Sequence, residues 1–347
     1  MHSPAVTSAA DSSAFEIPLI DFSEFLNGSP ETRRTTALAI LTGFQRSGFI
    51  YLKNFGLPKP LVAETFAKSA AFFKRPLDQK NSLAWTTPAA NRGYVAEGLE
   101  KVTDRTEGQS IEELRQQEGQ DLKESFEIGR EGEEGHPNHW PDHFDADGGK
   151  FKAHMQEFFG KCTQLHVEVM RAIAVGLGLE EGWLDGYCDQ GDNTLRLLHY
   201  PEVSAEVFRK NGLQVRAGAH TDYGFVSPLR SITLLFQDMA GGLQVESPNG
   251  TFVDATPIED TVVVNAGDLL ARWSNDNVKS TKHRVVEPRK AALSDKHPPR
   301  YSIAFFCNPN FDRFIEAIPG TYDEVNVRKY EGVNSGKYLE QRLAATF

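Results

Sequence analysis

A histidine and an aspartate separated by one residue, His220 and Asp222, are the pair of side chains in this sequence best suited to hold a metal ion. In an extended strand, this spacing places both side chains on one face. An imidazole and a carboxylate on one face supply two ligands of the 2-His-1-carboxylate triad, which leaves iron(II) with open positions for oxygen chemistry. The pattern therefore indicates an incomplete metal site that needs a second histidine from elsewhere in the chain.

Only His283 and His297 follow Asp222 in the chain, and their surroundings differ. His283 lies in the β-rich run 282–286, which would fix the direction of its ring. His297 is followed by two prolines and has the surroundings of a surface loop. We therefore expect His283 to be the third ligand, and we call His220, Asp222 and His283 the metal triad.

A second pair with the same spacing, His143 and Asp145, lies in residues 136–149. This segment is rich in Pro, Asp, Gly and His, which is typical of a surface loop. No flanking β-rich run would hold the two side chains on a common face. We expect its histidines to be solvated rather than bound to metal.

A cation and a hydroxyl with the same two-residue spacing follow at Arg300 and Ser302. On one strand face, the guanidinium binds a carboxylate through two parallel hydrogen bonds, and the hydroxyl adds a third. Arg272 and Ser274 repeat the pattern, but they precede His283 in a segment that runs into a loop, so we expect a structural role for them. A site for iron and an acidic co-substrate is the leading interpretation.

Composition limits the partners. The 347 residues can form a large core, and 39% apolar and 24% charged residues are an ordinary globular composition. A net charge of −11 argues against a broad electrostatic surface for nucleic acid. No apolar run reaches the roughly 20 residues that cross a bilayer. We expect a small-molecule substrate and neither nucleic acid nor membrane, and the sequence indicates no oligomeric state.

The cysteines and the N-terminus bear on the compartment. Cys162, Cys188 and Cys307 are far apart and form no Cys-x-x-Cys pair, which disfavours structural zinc and a disulfide framework. This usage fits a reducing compartment, and we predict the cytoplasm. Residues 1–15 have no basic cluster and no apolar core, so we expect a disordered tail rather than a targeting peptide.

The elements that must position the site change in kind along residues 16–347, which we expect to form a single domain. Residues 16–190 are predicted to be mainly helical, with a solvated, partly helical insert at 97–120. Residues 191–310 alternate short β-rich runs with turns, and 311–347 form a C-terminal segment. We predict a mixed α and β fold, a double-stranded β-helix (jelly-roll) core flanked by helices. Helices are predicted at 31–48, 61–74 and 151–179, and strands at 17–21, 49–52, 121–128, 195–200, 217–223, 231–237, 242–246, 251–253, 261–265, 283–286 and 301–306.

Six short segments match the pattern of one enzyme family: Ile17–Asp21, Gly48–Tyr51, His220–Gly224, Gly241–Val245, Asn265–Leu270 and Arg300–Ser302. They resemble the non-haem iron(II), 2-oxoglutarate-dependent dioxygenases of the isopenicillin-N-synthase-like superfamily, and the resemblance extends over about residues 16–345. Within that superfamily, the chain resembles the fungal thymine 7-hydroxylases (thymine dioxygenases) most.

The resemblance implies how the co-substrates would bind. The metal triad would bind iron(II), and the distal carboxylate of 2-oxoglutarate would bind Arg300 and Ser302. Tyr200 stands at the position of a family tyrosine that also contacts 2-oxoglutarate, whereas Leu198 replaces an asparagine that many relatives have. Molecular oxygen would be the other co-substrate, and ascorbate would support the reaction as a reductant.

The resemblance also implies the substrate and its contacts. Arg196, Tyr223 and Phe306 would contact the substrate, with Asn308 as a further amide contact. A flat pyrimidine stacks well between aromatic rings, and a guanidinium donates to a ring carbonyl. The implied reaction hydroxylates the methyl group of thymine to 5-hydroxymethyluracil, and then forms the 5-formyl and 5-carboxy products, in pyrimidine salvage.

One segment departs from the family pattern beside the metal triad. Relatives continue directly from the equivalent of Gly224 to that of Ser231, whereas Phe225–Arg230 intervenes here. Two interpretations stand: a genuine loop that reshapes the pocket mouth, or a misplaced exon boundary in the gene model from which the sequence was translated. In a genuine loop, Phe225 or Arg230 would compete with Tyr223 for the substrate. A tryptic peptide that runs from Gly224 straight into Ser231 would reveal the boundary error.

Two other functions remain open at this point. One is a dioxygenase of the same fold that acts on another small molecule, such as a secondary metabolite. The other is a catalytically inactive protein that only binds a ligand.

Overall fold

The computed structural model describes residues 15–85, 91–99, 121–211, 215–222, 230–287 and 295–338. Over these ranges, helices dominate the first half and strands the second. The α-helices are Ser23–Asn27, Pro30–Ser47, Lys59–Phe73, Leu77–Ser82, Ala146–Gly176, Asp185–Cys188, Ala205–Asn211 and Asp268–Trp273, with 3-10 turns at Pro141–His143 and Glu181–Leu184. The strands are β1 Leu19–Asp21, β2 Phe49–Lys53, β3 Gly93–Val95, β4 Glu124–Gly129, β5 Thr194–Tyr200, β6 Val203–Ser204, β7 Ala217–His220, β8 Ile232–Gln237, β9 Leu243–Glu246, β10 Phe252–Asp254, β11 Thr261–Ala266, β12 His283–Val285, β13 Lys296–His297, β14 Arg300–Cys307, β15 Phe314–Ile315 and β16 Val333–Asn334.

Two sheets form the centre of the molecule. The large sheet has eight strands in the order β1-β2-β11-β8-β14-β5-β4-β3, and the small sheet has four in the order β10-β9-β12-β7. Strand pairing is antiparallel throughout both sheets except between β1 and β2. The jelly-roll core flanked by helices that the sequence predicts is confirmed.

The large sheet separates two cores. On β14, Ile303, Phe305 and Cys307 point into a cluster shared with the helices, including the long helix Ala146–Gly176. Ala304 and Phe306 point the other way, into a smaller cluster between the two sheets. This alternation follows from the two-residue period of a strand. Residues on the inner face of β14 and its neighbours are therefore the ones available to a site between the sheets.

The ends of two helices show how local sequence sets the boundaries. Ser29 caps the helix Pro30–Ser47 by accepting a hydrogen bond from the Thr32 amide at 3.2 Å. Gly48 ends it with a φ of 71°, in the left-handed region that favours glycine. The long helix begins after Asp145, whose carboxylate accepts from the Gly148 amide at 2.7 Å.

Several sequence predictions need correction. Residues 136–149 are not all loop, because a helix begins at Ala146 once Asp145 caps it and pairs with Arg75. The His143 Nδ1 donates a hydrogen bond to the Trp140 carbonyl oxygen at 3.0 Å, and Asp145 caps the helix, so the pair His143 and Asp145 is used structurally. His297 is buried rather than at the surface, since β13 pairs with β6 and its ring contacts Glu287 at 2.6 Å.

Some predictions concern residues outside the described ranges. These are nearly all of the expected tail at 1–15, most of the insert at 97–120, and the last nine residues of the C-terminal segment. Within the described ranges, none of the helices combines the length and the apolar character needed to cross a membrane.

Candidate active site

The small sheet brings the two triad histidines together. β7 and β12 are antiparallel neighbours, and their register places His220 directly opposite His283. The ring centroids are 4.3 Å apart. The two-residue spacing predicted that His220 and Asp222 share one strand face, and this prediction is wrong. The strand β7 ends at His220, and Asp222 lies in the turn that follows. The potential ligand atoms of all three residues nevertheless lie within 4.8 Å of one another.

Backbone carbonyl groups fix the orientation of both rings. The His220 Nδ1 lies 2.9 Å from the Gly218 carbonyl oxygen, and the His283 Nδ1 lies 3.2 Å from the Thr281 carbonyl oxygen. A carbonyl oxygen only accepts hydrogen bonds, so each Nδ1 carries the proton and donates it. The lone pair of each ring is therefore on Nε2, the nitrogen available to a metal ion.

Asp222 is drawn into the site by neighbours on the large sheet. Its Oδ2 accepts hydrogen bonds from the Thr233 hydroxyl at 2.7 Å and from the Asn265 side-chain amide. Its Oδ1 faces the His283 Nε2 at 3.8 Å. The carboxylate therefore points at the two histidines because of these hydrogen bonds, and not because it shares a strand face with His220.

The electrostatics suit a divalent cation. Burial, followed by electrostatic repulsion between the two neighbouring histidine rings, lowers the pKa of His220, which keeps its imidazole neutral at physiological pH. Burial alone would raise the pKa of Asp222, but Arg230, His283 and the Thr233 hydrogen bond lower it overall. Neutral imidazole and ionised carboxylate are the protonation states that metal binding needs. The triad therefore fits a metal ion in donor type, spacing and charge.

The predicted co-substrate anchor lies on the same cavity. Arg300 and Ser302 project from β14 on one face, both buried, with the Arg300 Nη1 donating to the Ser302 hydroxyl at 3.1 Å. The Arg300 guanidinium also donates to the Gly241 carbonyl at 2.9 Å and to the Gln237 side chain at 3.3 Å. It lies 4.9 Å from the ring centroid of Tyr200.

Arg196 and Phe306 form another part of the cavity wall. The Arg196 guanidinium lies 5.3 Å from the centroid of the Phe306 ring and forms an ion pair with Glu127, which is fully buried. Leu198 also lines the cavity. Of the other predicted substrate contacts, Asn308 is not among the lining residues, because its amide nitrogen donates to the Asp192 carbonyl at 2.8 Å. Tyr223 lies outside the described residues.

Arg230, the last residue of the unexpected segment, lies inside the site. It is buried, with a guanidinium nitrogen 3.4 Å from the Asp222 Oδ1 and the guanidinium over the ring of Phe306. The cavity is about 80 Å³ in this conformation. A usual small-molecule pocket is about 300 Å³ or more. Arg230 therefore occupies space that a flat ligand stacked on Phe306 would need.

Sequence reasoning missed four residues of the site. Thr233 and Asn265 orient Asp222 by donating hydrogen bonds to it. Lys123 lines the cavity, and Glu127 forms the ion pair with Arg196. The alternation of residues 121–128 was a signal that every second side chain shares one face. Which face turns towards the metal triad depends on the pairing of β4 with β5, which the sequence does not reveal.

Comparison with known proteins agrees with this arrangement. Residues 17–143 match the family described as non-haem dioxygenase in morphine synthesis N-terminal, and residues 191–309 match the 2OG-Fe(II) oxygenase superfamily. The chain is 33% identical over 339 residues to the proline hydroxylase buaE of Petromyces alliaceus, which covers 96% of this chain and 100% of that protein. The chain belongs to the 2OG-Fe(II) oxygenase superfamily.

Solved structures of the superfamily are similar over almost the whole chain. Neurospora crassa T7H (thymine 7-hydroxylase) in complex with alpha-KG and thymine is 58% identical, with a TM-score of 0.88 and coverage of 98% of this chain and 100% of that one. A putative 2OG-Fe(II) oxygenase family protein from Caulobacter crescentus is 28% identical, with a TM-score of 0.76 and coverage of 97% and 99%. As a member of this superfamily, the protein is an iron(II)- and 2-oxoglutarate-dependent dioxygenase.

Proposed function

We propose that this dioxygenase hydroxylates the methyl group of thymine to give 5-hydroxymethyluracil. The observation that carries the proposal is that the metal triad, Arg300 with Ser302, and Arg196 with Phe306 line one cavity. The 58% identity to T7H, whose structure is described in complex with thymine, supports the same substrate. Continued oxidation of the same carbon to 5-formyluracil and 5-carboxyuracil belongs to the proposal, and a complex of T7H with 5-formyluracil supports it.

The protein's part in this reaction is placement. Iron(II) bound to the metal triad would supply oxygen activation coupled to the decarboxylation of 2-oxoglutarate. In the described part of the chain, the hydrogen bonds of the Arg300 guanidinium all go to neutral groups. Its positive charge would therefore bind the distal carboxylate of 2-oxoglutarate. Ser302 would donate to the same carboxylate, and Tyr200 would close this end of the cavity beside Arg300.

The wall around Arg196 would bind the pyrimidine. Phe306 offers an aromatic face for a flat ring, and Arg196 offers N–H donors for a ring carbonyl. Tyr223 remains a proposed second stacking partner and Asn308 a proposed amide contact. The Asn308 Oδ1 is buried and has no hydrogen-bond partner. It would contact the substrate only by turning towards the pyrimidine ring. The cytoplasm is the proposed compartment, and the three buried cysteines, all free thiols, support it.

Turnover of labelled 2-oxoglutarate tests the proposal directly. With iron(II) and ascorbate present, release of carbon dioxide should increase when thymine is added, and mass spectrometry should detect 5-hydroxymethyluracil. Uracil, which lacks the methyl group, is the matched control and should give no hydroxylated product. Stimulation by another small molecule but not by thymine would favour the secondary-metabolite alternative. No release and no absorption band from an iron–2-oxoglutarate complex would favour the inactive binding protein.

A further inference from the structure

We propose that Lys123 is a substrate-positioning residue whose ammonium group donates a hydrogen bond to a carbonyl oxygen of the bound pyrimidine. The inference rests on the proposed function and extends it, because it adds a residue to the site and specifies an uncharged substrate. It is carried by the position of Lys123 on the sheet, its burial beside a carboxylate, and the distribution of charge around the cavity.

The register of the large sheet points Lys123 into the cavity. Glu124 pairs with His199 across β4 and β5, so the preceding residue, Lys123, lies level with Tyr200. Side chains alternate between the two faces of a strand, which puts Lys123 on the face that carries Tyr200 and Arg196. Lys123 lines the same cavity as the metal triad.

The opposite face of the same strand provides a contrast. Glu124 points away from the cavity and accepts a hydrogen bond from Lys80 at 2.8 Å, with the His199 ring 2.7 Å away. Lys80 is buried too, but it is not among the cavity-lining residues. Lys80 is therefore a buried lysine with a structural ion pair, and Lys123 is a buried lysine that lines the cavity of the metal triad.

The burial of Lys123 is costly unless the charge is used. Its side chain is 5% exposed, and its Nζ lies 3.8 Å from the carboxylate of Asp121, which is fully buried. Removing an ammonium group and a carboxylate from water costs several kcal/mol for each ion, and apolar residues of similar volume stabilise a protein at least as well. Stability alone therefore gives no reason for an ion pair at a cavity wall, whereas ligand recognition does.

The charge around the cavity indicates what each wall binds. On the wall formed by β4 and β5, each cation has its own carboxylate, Lys123 with Asp121 and Arg196 with Glu127. Among the described residues, these ion pairs balance the charge of the two cations, so the wall offers N–H donors that suit the carbonyl oxygens of a neutral ring. Arg300 differs, since its described hydrogen bonds go to neutral groups, which suits a carboxylate. The pyrimidine is thereby assigned to the wall of β4 and β5 and 2-oxoglutarate to Arg300, with Tyr200 between Lys123 and Arg300.

The variant Lys123→Met tests the role. It keeps most of the length of the side chain and removes the donors, so we expect the KM for thymine to rise by about 10- to 100-fold, the cost of one hydrogen bond from a charged group. The affinity for 2-oxoglutarate, measured by titration of the iron–2-oxoglutarate absorption band, should be unchanged. Lys80→Met is the matched control, which should lower thermal stability and leave the KM for thymine at the wild-type value.

Substrate analogues identify the contact. 5-Methylpyrimidin-2-one and 5-methylpyrimidin-4-one each keep the methyl group and lack one ring carbonyl. With one of the two, Lys123→Met and the wild type should show the same KM, because the partner of the ammonium group is already missing. If Lys123→Met folds poorly, Asp121→Asn provides a second measurement, since it leaves the wall with a net positive charge and should tighten the binding of 5-carboxyuracil.

The outcomes separate the two proposals. A wild type that thymine does not stimulate would overturn the proposed function and this inference together. A thymine-active wild type with an unchanged KM in Lys123→Met, or a loss of 2-oxoglutarate affinity in its place, would overturn only the role of Lys123.

Discussion

Hydrogen bonds to Asp222 set how well the metal triad is held. The Thr233 hydroxyl donates to the Asp222 Oδ2 at 2.7 Å from the neighbouring sheet, and the Asn265 amide donates to the same oxygen. Partners of this kind orient a ligand and are worth about 10- to 100-fold in metal affinity. They also compensate for the short strand β7, which ends before the carboxylate.

We expect Thr233→Val to weaken iron(II) binding by about 10- to 100-fold, because it keeps the shape of the side chain and removes the donor. Titration of the metal-free protein with iron(II) or cobalt(II) under anaerobic conditions measures the change. His220→Ala is the reference, and it should abolish both specific metal binding and turnover. Equal affinity in Thr233→Val and the wild type would show that the Thr233 hydroxyl is not needed to orient the carboxylate.

At the scale of elements, the Arg230 side chain decides whether the pocket is open. It contacts Asp222 and covers the ring of Phe306, and the cavity measures about 80 Å³. We expect Arg230→Ala to lower the KM for thymine, because it frees the aromatic face for stacking. Calorimetric titration of thymine into the iron–2-oxoglutarate complex checks this. A higher KM would instead mean that Arg230 contacts the substrate. Peptide mass spectrometry of the native protein separately tests whether residues 225–230 are present.

Replacing two glycines by alanine should change the stability of the protein in opposite directions. Gly48 has a φ of 71°, and a Cβ there would lie 2.6 Å from the Lys279 carbonyl oxygen, so Gly48→Ala should destabilise the protein by at least ~1 kcal/mol. Gly160 lies inside the helix Ala146–Gly176 with nothing within 4 Å of an added Cβ, so Gly160→Ala should stabilise it by ~0.5–1 kcal/mol. Chemical denaturation of both variants measures the difference. Changes of the same sign would contradict this account of the two glycines.

Most strands could be predicted from the sequence because they alternate along short runs between turn residues. β5 and β11, for example, differ from the predicted bounds by one residue. What could not be predicted depends on distant contacts. The burial of His297 requires the pairing of β13 with β6, and the helix start at Ala146 is reinforced by Arg75, 70 residues before Asp145. The inward turn of Asp222 likewise requires Thr233 and Asn265 from the other sheet.

At the scale of the whole molecule, the large sheet has one face for stability and one for chemistry. Its outer face packs on the helices through a large apolar cluster, and its inner face carries Arg196, Arg300, Ser302 and Phe306 towards the small sheet. Because adjacent residues of one strand serve both faces, a one-residue slip of β14 would exchange the two sets. The antiparallel pairing of β14 with both β5 and β8 holds that register.

The helix-side core also contains a titratable group that makes stability depend on pH. His166 is fully buried on the helix Ala146–Gly176, with its Nε2 3.4 Å from the Ser231 hydroxyl. Burial lowers its pKa from 6.5 to about 3. In the unfolded chain, the imidazole takes up a proton below about pH 6.5, whereas in the folded protein it stays neutral down to about pH 3. The unfolded state therefore binds more protons in this range, and the free energy of unfolding falls as the pH falls.

For His166 alone, the free energy of unfolding should fall by about 2 kcal/mol between pH 7.5 and pH 5. Urea denaturation at the two pH values measures the change, with a chelator in every sample so that metal binding to the triad does not contribute. His166→Leu should reduce the pH dependence by that amount, while its stability at pH 7.5 differs only through packing. His143→Leu is the control for the loss of a histidine, because its side chain is exposed and lies outside the helix-side core. An equal slope in His166→Leu and the wild type would mean that His166 becomes protonated within the folded core.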